Sequence, residues 1–134
     1  MRVFLDTNVL VSAFAARGLC SDLFELILLQ HELVISQSVL RELEKALRQK
    51  VKLPARDSAA IIDFLTDQAG QLSESSRPVP VAVDADDAIV LADAVGGHAE
   101  VFITGDAKVL GLDRIEDLKI VSPRAFWQML QVEK

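Results

Sequence analysis

RVFLDTN, residues 2–8, is the stretch on which the fold turns: Val3-Phe4-Leu5 is an unbroken apolar run of strand formers, and the polar trio Asp6-Thr7-Asn8 stops it. This reads as a buried first strand with an acid at its carboxyl end. Outward from it, apolar positions Leu23, Phe24, Ile27 and Leu28 recur at helical spacing from Ser21 to Gln30, with Ser21 or Asp22 available as N-cap. LVI at 33–35 predicts a second strand. Ser36 or Ser38 then opens a helix whose apolar stripe is Val39, Leu40, Leu43 and Leu47.

Pro54 breaks the chain, and Asp57 is placed to cap a helix that runs to about Ala69 and ends at Gly70. SESSRPVP, residues 73–80, is the turn-rich segment and predicts a surface loop, followed by a third strand over 79–83. DADDAIVLADAVGG, residues 84–97, has acids at its start and glycines at its end, the order that helix capping and the helix dipole favour. EVFITGD predicts strand then turn, LKIVS at 118–122 a fifth strand, and Pro123 the first turn of a last helix with Phe126, Trp127 and Leu130 on its apolar side. Strands alternating with helices imply right-handed crossovers. The expected class is α/β, a three-layer sandwich around a central parallel sheet of about five strands, in one domain over 1–134.

Composition sets the outer bounds. Half of the 134 residues are hydrophobic and a quarter charged, as in ordinary globular chains. The single cysteine, Cys20, offers neither a disulfide nor a zinc-ligand spacing. Asp6 and Asn8 interrupt what would otherwise resemble a secretory core, and no apolar window is long enough to span a bilayer, so a cytoplasmic protein without a membrane segment is expected. The net charge of −6 sits awkwardly with nucleic-acid binding, which needs cations to displace counterions. Residues 41–56 soften this, holding six of the fourteen basic residues against only Glu42 and Glu44. Arg41, Lys45 and Arg48 are candidate RNA contacts there, equally readable as a solvated helix face.

Ligands of parallel sheets bind beyond the carboxyl ends of the strands. Asp6 and Asp106 fall at such ends, Asp87 opens the helix leading into the Asp106 strand, and Glu42 lies early in the helix after the second strand. Four carboxylates gathered at one rim repel one another and need positive charge. With no histidine or cysteine in a corresponding place, hard oxygen ligands favour Mg²⁺ or Mn²⁺, and such ions point to phosphodiester hydrolysis. Each acid also has a plainer explanation. Asp84, Asp86 and Asp87 suit an N-cap and first turn, Glu42 a solvated helix, and Asp106 a turn in Thr-Gly-Asp. Asp6 resists such a reading, because it interrupts an apolar segment. Asn8, Ser12, Ser38 and Thr104 are read as local hydrogen-bonding groups that hold the acids, and Trp127, Phe126 and Cys20 as core.

The order and surroundings of these acids resemble the PIN-domain family, especially the small toxin components of bacterial toxin–antitoxin systems. VFLDTNVLVSAF aligns Asp6 with that family's first metal-binding aspartate, and SVLRELEKAL aligns Glu42 with its glutamate. DADDAIVLADA aligns Asp87, in preference to its neighbour Asp86, with the aspartate opening the fourth segment, and VFITGD aligns Asp106. Asp93 departs from the pattern, standing where small or neutral residues are usual; its expected place is the surface. The resemblance spans nearly the whole chain. It implies a PIN-like fold and an endoribonuclease using metal-activated water, leaving 5′-phosphate and 3′-hydroxyl ends. It implies as partners an RNA substrate, a small antitoxin protein and a second copy in a homodimer.

Rival readings are weaker. LDTNV resembles the Asp-x-Asp motif of haloacid-dehalogenase-like phosphatases, but Asn8 stands where the second aspartate belongs. A receiver-type phosphoacceptor needs paired acids after the first strand, and only Asp6 is there. A PIN-like scaffold that binds RNA or protein without cutting is the non-enzymatic alternative, and the presence of all four acids speaks against it.

Overall fold

The computed structural model describes residues 1–69, 72–74 and 79–132. Its elements are β1 (Arg2–Leu5), α1 (Thr7–Ala15), α2 (Leu19–Gln30), β2 (Glu32–Val34), α3 (Gln37–Gln49) and α4 (Ala55–Ala69). The second half adds α5 (Ala85–Gly96), β3 (Val101–Ile103), α6 (Ala107–Leu110), β4 (Arg114–Ile115), β5 (Leu118–Val121) and α7 (Pro123–Val132). The strands form one sheet in the order β2-β1-β3-β5-β4. All pairs are parallel except the terminal β4–β5 hairpin.

The middle strands are buried on both faces. Val3, Phe4 and Leu5 of β1 and Val101, Phe102 and Ile103 of β3 are all covered, which requires helices on each side of the sheet. Phe4 and Phe102 face each other across the β1–β3 register and stack with centroids 5.4 Å apart. The amphipathic reading of α3 holds: Val39, Leu40, Leu43 and Leu47 are its buried residues, and Ser36, not Ser38, caps it by accepting from Val39 N.

The strand order places the switch in winding direction between β1, whose successor lies on one side, and β3 on the other. At such a point the loops after adjacent strands diverge and leave a crevice above the carboxyl edge. Asp6 N donates to Ile103 O at 3.0 Å, and Thr104 N donates to Val121 O at 3.0 Å, so the segments that leave β1 and β3 are pinned to the neighbouring strands where they exit.

Several expectations need correction. The strand expected over 79–83 does not form: Pro80 has no N–H to give a ladder, and Val81 N instead closes a tight turn on Val79 O at 3.0 Å. The sheet reaches five strands through β4, which is not expected from the sequence and lies on the far edge. The segment after β1 is helix α1, for which the sequence carries no clear signal. α2 begins at Leu19 with Gly18 as N-cap, Ser21 serving as the third-position partner whose Oγ accepts from Gly18 N. α4 starts right after Pro54, leaving Asp57 inside its first turn. Trp127 is 39% exposed, lying about a quarter of a turn round α7 from the buried pair Phe126 and Leu130. Cys20 is half-buried. Asp93 is buried, 6% exposed, and not at the surface as expected. The ending of α4 at Gly70 and residues 75–78 of the expected loop lie outside the described residues.

Candidate functional site

Asp6 is the last residue before α1 and its N-cap, with Oδ1 accepting from Thr7 N at 2.8 Å. Its second oxygen, Oδ2, accepts from Thr104 Oγ1 at 2.7 Å, and Thr104, fully buried after β3, accepts in turn from Asp106 N at 3.1 Å. Asp106 caps α6, its Oδ1 accepting from Lys108 N at 2.8 Å, so its other oxygen is left to the crevice. On the other flank, Thr7 Oγ1 donates to Glu42 Oε2 at 2.8 Å. A continuous run of hydrogen bonds therefore links Glu42, Thr7, Asp6, Thr104 and Asp106, residues from α3, α1 and the turn after β3. Glu42 is on the exposed side of α3 yet tethered by this bond.

Asp87 joins them through the field. It sits in the first turn of α5, half-buried, and its carboxyl is raised above the usual range by burial and then by the charges of Asp106, Asp6, Asp84 and Glu42. Asp6 is raised too. Burial is the main cause and Asp106 a minor one, opposed by the hydrogen bonds from Thr104 and Thr7. The four acids named from sequence thus share one rim, at the switch between β1 and β3. Asp84, the N-cap of α5, adds charge next to them, while Asp86 is exposed.

The supporting residues are redistributed. Asn8 is exposed, and neither Asn8 nor Ser38 makes a side-chain hydrogen bond among the described residues. Thr104 does hold Asp6. Thr7, which sequence reasoning leaves inside a turn-forming trio, holds Glu42 from a position that is 7% exposed. The signal for it is its place directly after the acid at a strand-to-helix turn, where a hydroxyl that is nearly buried needs a partner. Arg41, Lys45 and Arg48 lie on the exposed side of α3, lining a cleft with Glu44, Leu53 and Ala55.

Every donor at the rim is an oxygen, the ligand type of Mg²⁺ and Mn²⁺. Among the described residues no three acidic, histidine or cysteine side chains close into a ready-made cage. Mg²⁺ sites commonly keep several waters and take one or two carboxylates plus substrate oxygens, so such a cage is not a requirement for this ion. Donor chemistry and uncompensated anionic charge therefore both fit a divalent cation.

The model of the PIN domain matches residues 2–108 of the sequence. The chain belongs to the PIN-domain family. Solved structures resemble it as well: VapBC2 from Rickettsia felis, solved bound to a DNA fragment from their promoter, matches with a TM-score of 0.65 at 17% identity over 91% of this chain and 98% of that one. VapBC-1 from nontypeable Haemophilus influenzae matches with a TM-score of 0.64 at 21% identity, over 92% and 99% of the respective chains. At these identities the likeness is one of fold. No curated protein sequence matches. Among the described residues no helix is long and apolar enough to cross a membrane.

Proposed function

We propose that this PIN domain is an endoribonuclease dependent on Mg²⁺ or Mn²⁺, the toxin of a toxin–antitoxin pair, with Asp6, Glu42, Asp87 and Asp106 as its metal-holding and catalytic acids. The observation that carries this reading is the hydrogen-bonded run from Glu42 through Thr7, Asp6 and Thr104 to Asp106, facing Asp87. Membership of the PIN-domain family supports nuclease chemistry, and likeness to VapBC structures supports a protein partner of the antitoxin kind. A small antitoxin and a homodimer belong to the same reading.

The roles divide by what fixes each side chain. Asp6, gripped on both oxygens, is the rigid member, and each oxygen keeps a further lone pair that could bind a cation. Thr7 and Thr104 are positioning residues that set the orientation of Glu42 and Asp6. Asp106 offers Oδ2, and Asp87 brings a carboxylate from the opposite helix. A divalent cation held by these acids would polarise the phosphodiester, lower the pKa of its water and steady the leaving oxygen. The acids themselves bind and orient that cation, and their crowding makes them accept it readily. Their combined negative charge also keeps phosphates out of the rim until it is neutralised, so substrate binding at the scissile bond follows loading of the site.

The test is direct. Incubate the protein with end-labelled single-stranded RNA in Mg²⁺, in Mn²⁺ and in EDTA, beside Asp6→Asn and Asp87→Asn. Cleavage leaving 5′-phosphates, lost in EDTA and in both variants, is expected. Cleavage that persists in EDTA refutes metal dependence, and metal binding without cleavage of any RNA turns the protein into a binding scaffold.

A further inference from the structure

α3 carries two chemistries on neighbouring sides. Glu42 points to the rim, bonded to Thr7. Arg41, Lys45 and Arg48, spaced by four and three residues, fall within about 60° of one another around the axis, opposite the buried stripe and adjoining the Glu42 side. Their span along the helix is about 10 Å at 1.5 Å per residue. All three are exposed, and among the described residues none is in an ion pair. They line a 590 Å³ cleft beside the start of α4, in which Glu44 is the one acid.

We infer that this cleft is a phosphate-tracking groove that seats a single-stranded RNA flank and leads it along α3 to the acidic rim. The inference rests on the nuclease reading of that rim. A row of unpaired cations fits a repeating anion, and release of its counterions supplies the binding energy. The net charge of −6 does not oppose this, because at physiological salt fields are screened beyond about 8 Å and only the local sign is felt. No aromatic lines the cleft, so it offers phosphate binding without base stacking, and the groove holds RNA regardless of its sequence. A recess walled by two helices admits a bare strand more readily than a stiff duplex. An acidic protein partner fits less well, since among the described residues Leu53 and Ala55 are the only apolar side chains that line the cleft and offer little surface for the aromatic anchors on which such interfaces depend.

The test measures binding apart from cleavage. A fluorescein-labelled oligouridylate is titrated in EDTA against the wild-type protein, an Arg41→Gln/Lys45→Gln/Arg48→Gln triple variant, and a control triple, Arg114→Gln/Lys119→Gln/Arg124→Gln, that removes the same charge from exposed sites elsewhere. The α3 triple should weaken binding about tenfold or more and make the slope of log K against log salt shallower by about two, roughly 0.7 for each phosphate that is no longer neutralised. The control should bind nearly as wild type. Equal loss in both triples, or none in the α3 triple, overturns the groove. Displacement of the RNA by polyglutamate at equal charge concentration overturns it too and assigns the cleft to an acidic protein. Failure here with cleavage intact leaves the nuclease reading standing, whereas cleavage that survives EDTA sinks the metal reading without touching the groove.

Discussion

Thr7 and Glu42 are 35 residues apart in sequence, and the hydroxyl of the first donates to the carboxylate of the second at 2.8 Å. This bond is what brings an exposed helix glutamate to the site. Thr7→Val keeps shape and removes the donor, so Glu42 is freed to swing into solvent. Cleavage should fall about 10- to 100-fold, the usual cost of losing a partner that orients a metal ligand. Thr7→Ser should restore most of it. A normal rate in Thr7→Val, with Glu42→Gln inactive, would show that the tether is dispensable.

Thr104 has two duties, its hydroxyl donating a hydrogen bond to Asp6 Oδ2 and accepting one from Asp106 N. Thr104→Val strips both in a fully buried position. The variant should lose about 1–3 kcal/mol of stability through the unpaired N–H, read by urea denaturation. It should also require more Mn²⁺ for half-maximal cleavage, a change that destabilisation alone would not produce.

Asp6 is expensive to keep charged. Burial raises its carboxyl, so the folded protein binds this proton more tightly than the unfolded chain does. Folded stability from this group therefore falls as pH rises from the ordinary carboxylate range through the raised value. Asp6→Asn, whose Oδ1 still accepts from Thr7 N while its amide nitrogen can donate to Thr104 Oγ1 in place of accepting from it, should melt higher than wild type in EDTA at pH 7.5. The gap should shrink as pH falls towards 4. A variant that melts lower at pH 7.5 would show that the carboxylate is not under strain.

Metal removal should act through the same acids. Saturating Mg²⁺ or Mn²⁺ stabilises only the state that binds it, by about 2.7 kcal/mol at a hundredfold excess over Kd. The wild-type melting temperature should rise on adding either ion and return in EDTA. Asp87→Asn should respond much less, its field at the rim being reduced. An equal rise in that variant would place the ion elsewhere.

Gly97 packs where no side chain fits. A Cβ there would stand 2.6 Å from Ser73 Cβ and 2.7 Å from Val34 Cγ1. Its carbonyl also accepts from Arg2 Nε and Nη2, at 3.2 and 2.6 Å. Gly97→Ala should cost about 1–3 kcal/mol by overpacking. Calorimetry on Gly97→Ala checks this, and an unchanged melting temperature would mean that the 72–74 segment yields.

The legible parts of the molecule are those with a strong local cause. Asp6 is readable because a charge cuts an apolar strand, α3 because its stripe repeats at 39, 40, 43 and 47, and Asp106 because a turn follows an apolar strand. The rest is hidden for identifiable reasons. α1 contains Thr7, Val9 and Val11, β-branched residues of modest helix propensity, and its start depends on the Asp6 cap. The β4–β5 hairpin turns through Glu116, at φ 51°, where no Asn-Gly or Asp-Gly announces it. The apolar residues of 79–83 imitate a strand, yet Pro80 leaves the ladder without a donor. Thr7 escapes a reading of the sequence because its partner is 35 residues away, a distance at which sequence carries no geometric information.

The family match stops at residue 108, but the sheet does not: β3 pairs with β5, residues 118–121, which is synthesised only afterwards. While the chain is emerging from the ribosome, β3 is a bare apolar edge, the kind of template onto which other nascent chains add. The last fifth of the polypeptide is thus its own safeguard against aggregation. A fragment ending at 108 would carry all four acids and yet be the form least able to stay in solution.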